Sequence, residues 1–466
     1  LKGRFHFVWA VYYMRYGFWL CLIPLTRALL SGGLISFWSV FQQDLIILVG
    51  MAFLSLYAWL TATWQLTEDC LEIHFGFIFH RRCSCRPCQL AACELRRSLP
   101  QRLLGACELE LFLNSCHTKK SYRLILTYRQ GVVLRDALFP LNRVKNGSAD
   151  ESVPYRPSGG DWLMLAALST NLVTETALVL MTIRHIRQLL GQDLEQQAVS
   201  KLEQLLATMG LAVPAGISLV LSIVFFFTCC SLVISVLRTG GYQVARTDGY
   251  LLCQGGLYTQ VEQRIRTDCI HCIDVRRGLL SRISGFDSVY VYAGGFSNQN
   301  TPLLFFRRKD TTLSRQLLPE MMHWHAKRRY AARSIWQYIW RLLIPFSLVT
   351  VLWLVALYML PKAAPIMAVC IGICLFFLSF AVEAFFTEGY HYAGNGKFIL
   401  AFGRGFTRHF VTVLPREVTA KVIYSSLSIQ QDRGDLVLCC PAGIRLRVRG
   451  ICKSKADSAL QKMYQL

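Results

Sequence analysis

Residues 98–112, SLPQRLLGACELELF, and residues 278–292, GLLSRISGFDSVYVY, follow one grammar. A short run carrying Leu99, Arg102 and Leu103, or Leu279, Arg282 and Ile283, breaks at Gly105 or Gly285, and a strand-like alternation follows. A period of two in apolar residues is the mark of a half-buried β-strand. A glycine at the break marks a turn or bulge that excludes a Cβ. The two glycines stand 180 residues apart, a recurrence that calls for testing the whole chain for internal repeats.

A further glycine precedes each by 29 residues: Gly76 after CLEIHF and Gly256 after GYLLCQ. The same spacing separates Gly405, which follows GKFILAF, from Gly434, which leads into DLVLCC, although the Leu-x-x-Arg element has become SIQQDRG there. The β-rich runs SYRLILTY, TPLLFFRR and GIRLRVRG supply later strands, and each block closes with a potential helix, clearest at 311–334 and 453–464. We therefore expect three homologous β-sandwich or half-barrel units, each capped by a helix. Leu99, Leu103, Leu279 and Ile283 are expected in their cores, with Arg102 and Arg282 at the rims.

The units are separated by apolar sequence. The chain is 53% apolar with a mean hydropathy of +0.37, high for a protein built only of water-facing domains. Six stretches, near 17–38, 44–64, 161–183, 211–237, 335–360 and 364–386, are long enough to cross a hydrocarbon core of ~30 Å as helices. They fall in three pairs. The organisation expected is an N-terminal segment and hairpin over 1–64 and a β-domain over 65–160. A hairpin with an amphipathic outer segment follows over 161–237, a β-domain over 238–334, a hairpin over 335–386 and a β-domain over 387–466.

Charge gives the orientation, since cytoplasmic flanks accumulate Lys and Arg. Of the 50 Lys and Arg residues, 44 lie in the N-terminal segment and the three β-blocks. Those blocks, with both termini, are thus expected in the cytosol. Thirteen of the 18 cysteines fall in the same blocks and the other five in the apolar stretches, the distribution expected of reduced thiols. The net charge of +22 suits anionic lipid headgroups. Nucleic acid is not expected as a partner, because no basic and aromatic binding motif is present.

Two apolar spans, then LTEDCLEIHFGFI, then the Leu-x-x-Arg-Leu-Leu-Gly turn and its strand, resemble the bacterial pleckstrin-homology (PH) domain family of membrane proteins. The threefold alternation of span pairs and β-domains is similar to its YdbT-type arrangement. The resemblance covers essentially the whole chain. It implies PH-like domains on the cytoplasmic face of a bacterial plasma membrane and brings no catalytic residues with it. The cysteine-rich segment at 83–93 and the eroded third turn depart from the pattern.

Few residues suggest chemistry. Cys83, Cys85, Cys88 and Cys93 are spaced closely enough to surround one thiophilic ion, and zinc is the ion that four thiolates suit. A reduced cysteine-rich loop is the alternative, favoured because neither other repeat keeps the four positions. Arg27 and Glu175 fall near the centres of their spans, where ionisable groups call for a partner or a path. An intramembrane pair is the simpler reading and a transport route the alternative. HWHAKRRYAAR at 323–333 reads as a juxtamembrane helix facing headgroups. No Walker loop, dinucleotide-binding glycine motif, H-E-x-x-H or G-x-S-x-G occurs, so neither a cofactor nor an enzymatic reaction is expected. The function expected is a platform for binding protein or lipid, built on a polytopic α-helical membrane protein with six spans. A transporter or export component using Arg27 and Glu175 is the rival.

Overall fold

The computed structural model describes residues 1–12, 48–68, 70–75, 81–114, 121–141, 154–168, 228–247, 249–297, 302–308, 312–321, 387–392, 397–404, 407–414, 418–424, 432–440 and 444–464, with isolated positions between these segments. They form several antiparallel β-sheets with short helices.

The first repeat opens with strands β1 (Lys2–Arg4), β2 (Thr63–Leu66), β3 (Leu71–Phe75) and β4 (Arg81–Cys85), paired in that order. It continues with β5 (Leu90–Ser98), helix α1 (Leu99–Leu103), β6 (Ala106–Leu113), β7 (Ser121–Thr127) and helix α2 (Tyr128–Leu138). After helix α3 (Gly159–Leu168), the second repeat runs through β8 (Gln243–Thr247), β9 (Tyr250–Gly255), β10 (Thr259–Arg266) and β11 (Ile270–Arg277). Helix α4 (Leu279–Ser284), β12 (Phe286–Ala293), β13 (Phe296–Ser297), β14 (Leu304–Arg307) and helix α5 (Thr312–Leu317) complete it. The third comprises β15 (Gly389–Tyr392), β16 (Phe398–Arg404), β17 (Thr407–Val413), β18 (Thr419–Ile423), β19 (Arg433–Cys440), β20 (Ile444–Cys452) and helix α6 (Lys453–Tyr464).

The offset of 180 holds pair by pair. Leu71 faces Cys85 as Leu251 faces Ile265. A register shift between Leu90 and Ala92 recurs between Ile270 and Cys272. Gly105 and Gly285 both take left-handed backbone, at φ 68° and 74°, where an L side chain is strained. One hydrogen bond then closes all three units: Tyr128 N–H to Gly105 O at 3.0 Å, Arg308 N–H to Gly285 O at 2.9 Å, and Lys453 N–H to Asp432 O at 3.0 Å.

That bond corrects the phase of the third repeat. The counterpart of Gly105 and Gly285 is Asp432, at φ 52°, whereas Gly434 lies inside β19, buried against Val422 and Tyr424. Asp is among the few residues that adopt the left-handed region readily. The partner glycine shifts with it. Cys272 of β11 faces Val413 as Ala92 of β5 faces Ile265, and counting back along those strands makes Gly403, across from Arg408, the counterpart of Gly256. The spacing of 29 survives between 403 and 432. Glycines stand at both 403 and 405, and the β16–β17 ladder, which runs on to Arg404 and Thr407, fixes which of them is equivalent. Gly76 and Gly405 themselves lie outside the described residues.

Sheets cross the repeat boundaries. β5 pairs with β10, giving a six-stranded sheet in the order β7-β6-β5-β10-β9-β8, and β11 pairs with β17 in a seven-stranded one. The cores follow: Ala91, Ala92 and Phe112 of the first repeat pack with Val244, Ile273 and Phe296 of the second. Cys272 of the second repeat packs among Leu400, Val411 and Leu436 of the third.

Among the described residues no helix is long and apolar enough to cross a membrane. The expected span at 44–64 is largely described, helical over 48–61, and the other five lie largely outside those residues, as does all of 323–333. What is described at their ends is a repeated junction. β1 pairs antiparallel with β2, and Tyr155 bridges Val244 in the same way, Trp64 and Val244 being equivalent positions. The Ser55 hydroxyl donates to Ala10 O as the Ser235 hydroxyl donates to Ala166 O. The chain entering each of the first two apolar pairs is therefore tied to the chain leaving it.

Candidate interaction surface

Both seams between repeats carry buried ionic groups. In seam one, Glu94 on β5 is buried and pairs with Arg96. Behind that strand, α2 presents Arg135 to Glu262 and Asp136 to Arg264 of β10, the latter pair at 2.7 Å, and Arg264 also donates to Phe139 O at 2.8 Å. In seam two, Asp274 on β11, the counterpart of Glu94, is 3% exposed. It takes Arg276 at 2.8 Å and His409 of β17 at 3.0 Å. Arg276 also donates to the Tyr292 hydroxyl at 2.6 Å and covers the Tyr290 ring at 3.7 Å. Arg277 lies over the Phe410 ring across the seam at 4.6 Å.

Burial alone would raise the Asp274 carboxyl. The hydrogen bond and charge of His409, joined by Arg276, outweigh it and hold the group below its ordinary value. The same carboxylate drives the Arg276 guanidinium upward against its own desolvation. The acid-x-Arg pair recurs on β5 and β11, as Glu94-Leu95-Arg96 and Asp274-Val275-Arg276, while the ionic contacts that cross the seams are those of Arg135 and Asp136 with β10 and of Asp274 with His409. This is an arrangement for holding strands in register. Glu94 and Asp274 are buried within it, while Arg96, Asp136 and Glu262 stay partly exposed.

Compared with known proteins, the chain matches no family model, no curated protein and no solved structure.

The other surface is apolar. Leu103 is 88% and Ile283 86% exposed, and Leu99 is 42% exposed, which corrects the expectation that these residues fill the cores. A helix of five or six residues makes little more than one turn, and here its inner contact is made by Ser281, buried, with its hydroxyl on Phe286 O. The Leu279 side chain lies outside the described residues. Arg102 reaches across to Leu257 O at 3.4 Å, so α1 of the first repeat adjoins the β9–β10 hairpin of the second, where Leu257 and Tyr258 are exposed. That hairpin needs Gly256, at φ 98° with the Thr259 carbonyl where a Cβ would stand. It is anchored by Leu257 N–H to Leu237 O at 2.8 Å, at the end of the helical segment 228–239. A cavity of ≈ 530 Å³ beside it is lined by Arg156, Trp162, Gly240, Tyr242 and Leu257.

The four cysteines are not gathered. Cys83 and Cys85 lie on β4, Cys88 is exposed on the short turn that follows, and Cys93 is buried on β5. Burial, with the neighbouring Cys70 and Cys83 thiols, pushes Cys85 up to about 11, and burial pushes Cys93 up to about 12. Both are held as thiols at neutral pH. Among the described residues no group of three or more His, Cys, Asp or Glu side chains is placed to hold a metal ion. Arg27 and Glu175 lie outside the described residues.

Proposed function

We propose that this is a non-enzymatic, multi-pass protein of a bacterial plasma membrane that carries three PH-like domains on its cytosolic face as one platform for protein or lipid. The observation that carries the reading is the tie at each of the first two apolar pairs. The chain before it and the strand after it hydrogen-bond to each other, Gly3 opposite Trp64 in a ladder and Tyr155 opposite Val244 in an isolated bridge. Such a tie requires an apolar pair that crosses a bilayer to cross it twice and return.

Exposed apolar side chains support the same reading. Phe53, Leu56, Leu60, Leu232, Val233 and Ile234 crowd the described ends of the expected spans, and a patch of that kind marks contact with lipid or protein. Leu257 and Tyr258 sit where the fourth span ends, at the level an interfacial side chain occupies. The sheets shared across both seams hold the domains as one array, which suits a platform presenting several surfaces at fixed separation.

The experiment is labelling of single cysteines, added to a cysteine-depleted background, by an impermeant thiol reagent on intact cells. Val40→Cys and Glu195→Cys should react, and Lys120→Cys and Asn300→Cys should react only after lysis. Labelling of Asn300→Cys on intact cells would overturn the orientation and, with it, the cytosolic platform.

A further inference from the structure

Each seam joins the first strand of one repeat's second sheet to the third strand of the next repeat's first sheet: β5 to β10, and β11 to β17. The first repeat has the same third strand. By pairing with β3, Cys85 of β4 corresponds to Ile265 of β10, so Arg82 stands at the position of Glu262 and Arg81 at that of Val261. Across the second seam the same positions hold Phe410 and His409. Yet β4 ends its sheet, and among the described residues no strand pairs with its outer side. An open edge of this kind is a template for strand addition.

Arg82 reverses the charge of its counterpart Glu262, while Arg81 takes the place of the basic His409. In seam one the position of Arg82 is the carboxylate Glu262, gripped by Arg135 of the preceding repeat. In seam two the position of Arg81 is His409, which holds the buried Asp274. β4 has Arg in both places, and Arg82 is exposed with no ion pair among the described residues. The matching strand of the third repeat is β18, in which Lys421 takes the place of Glu94 and Asp274 in the pairing with the following strand. A second copy docking β18 on β4 in the register of the seams would set Lys421 opposite Cys83 and diagonal to the basic position 81, a like-charge juxtaposition that selects against chaining of copies.

We propose that the outer edge of β4 captures an extended acidic segment of another protein, which adds as an antiparallel strand in the geometry of the two internal seams. Its main chain takes the place of β5 or β11, and its carboxylates stand in register with the basic positions 81 and 82, of which Arg82 is exposed. The inference deepens the platform reading and rests on it.

The test uses the full chain purified in a mild detergent. The probe is a fluorescent nonapeptide of residues 90–98 with Cys93→Ser, Arg96→Glu and Arg97→Glu, compared with a counterpart bearing Lys at 94, 96 and 97. The acidic peptide should bind at least about tenfold more tightly, and Arg81→Glu/Arg82→Glu should reverse the preference. A photo-reactive group on the peptide should mark residues 81–85. Arg82→Gln, a mild change at an exposed site, should weaken the acidic peptide about threefold and provides the readout if the double variant does not fold. Equal binding of the two peptides would overturn the proposal, as would cross-links on β10 or β18. So would concentration-dependent self-association abolished by the double variant, since the occupant would then be a second copy. Unchanged partner capture from native membranes by the double variant would also overturn it, while leaving the platform reading standing.

Discussion

Replacing Asp274 by alanine removes the carboxylate that joins the second and third repeats. The side chain is 4% exposed, with Arg276 at 2.8 Å and His409 at 3.0 Å. Breaking a buried pair by deleting one partner costs ~3–5 kcal/mol, because the other charge stays buried. Arg276 keeps the Tyr292 hydroxyl and the Tyr290 ring, and its own side chain is 22% exposed, which places the expected loss at the lower end, about 3 kcal/mol. That is a change on the order of 100-fold in the opening equilibrium of the seam. Native-state hydrogen exchange reads it locally: the amides of β11 and β17 should exchange faster by about that factor, while those of β5 and β10 keep their protection. A change below about 1 kcal/mol, or acceleration spread evenly over both seams, would refute the assignment of Asp274 as the lock.

Three further outcomes follow from the same structure. Gly105→Ala and Gly285→Ala should each cost ~1 kcal/mol through strained left-handed backbone, whereas Asp432→Gly should be neutral or slightly stabilising in urea denaturation; a costly Asp432→Gly would undo the corrected phase of the third repeat. On acidification, Asp274 has a folded-state value below its unfolded one, so its contribution is complete above about pH 4 and is lost as pH falls through the folded value. Exchange protection at the second seam should fall in that acid range, and loss confined to pH above 6 would count against it. Leu103→Asp and Ile283→Asp change side chains that are 88% and 86% exposed and should leave stability within about 0.5 kcal/mol; a loss above about 2 kcal/mol would restore them to the core.

The repetition was legible because it rests on local chemistry. A left-handed turn needs Gly or a tolerant residue, and a half-buried strand needs alternation, so Gly105, Gly285 and the strands after them could be read directly. Asp432 escaped because Asp adopts the same backbone without the glycine that signals it. The cores were misassigned at Leu103 and Ile283 because spacing of three or four residues reads as a buried helical face, while a helix this short leaves that face bare. The seams could not be derived from any single window, since β5 and β10 lie far apart in sequence and edge pairing is set by the main chain. Their trace was the repeated acid-x-Arg at 94–96 and 274–276. On an isolated strand such a pair reads as an ordinary solvated one.

The central claim, that the repeats are fused sheet to sheet in a fixed register, is tested most directly by cross-strand trapping at the first seam. Ser98 lies opposite Thr259, so Ser98→Cys/Thr259→Cys should form an intramolecular bridge under mild oxidation, identified by mass spectrometry as a 98–259 linked peptide. A bridge in Ser98→Cys/Gln260→Cys with none in the first variant, or bridges only between chains, would contradict the register and the fusion of the repeats.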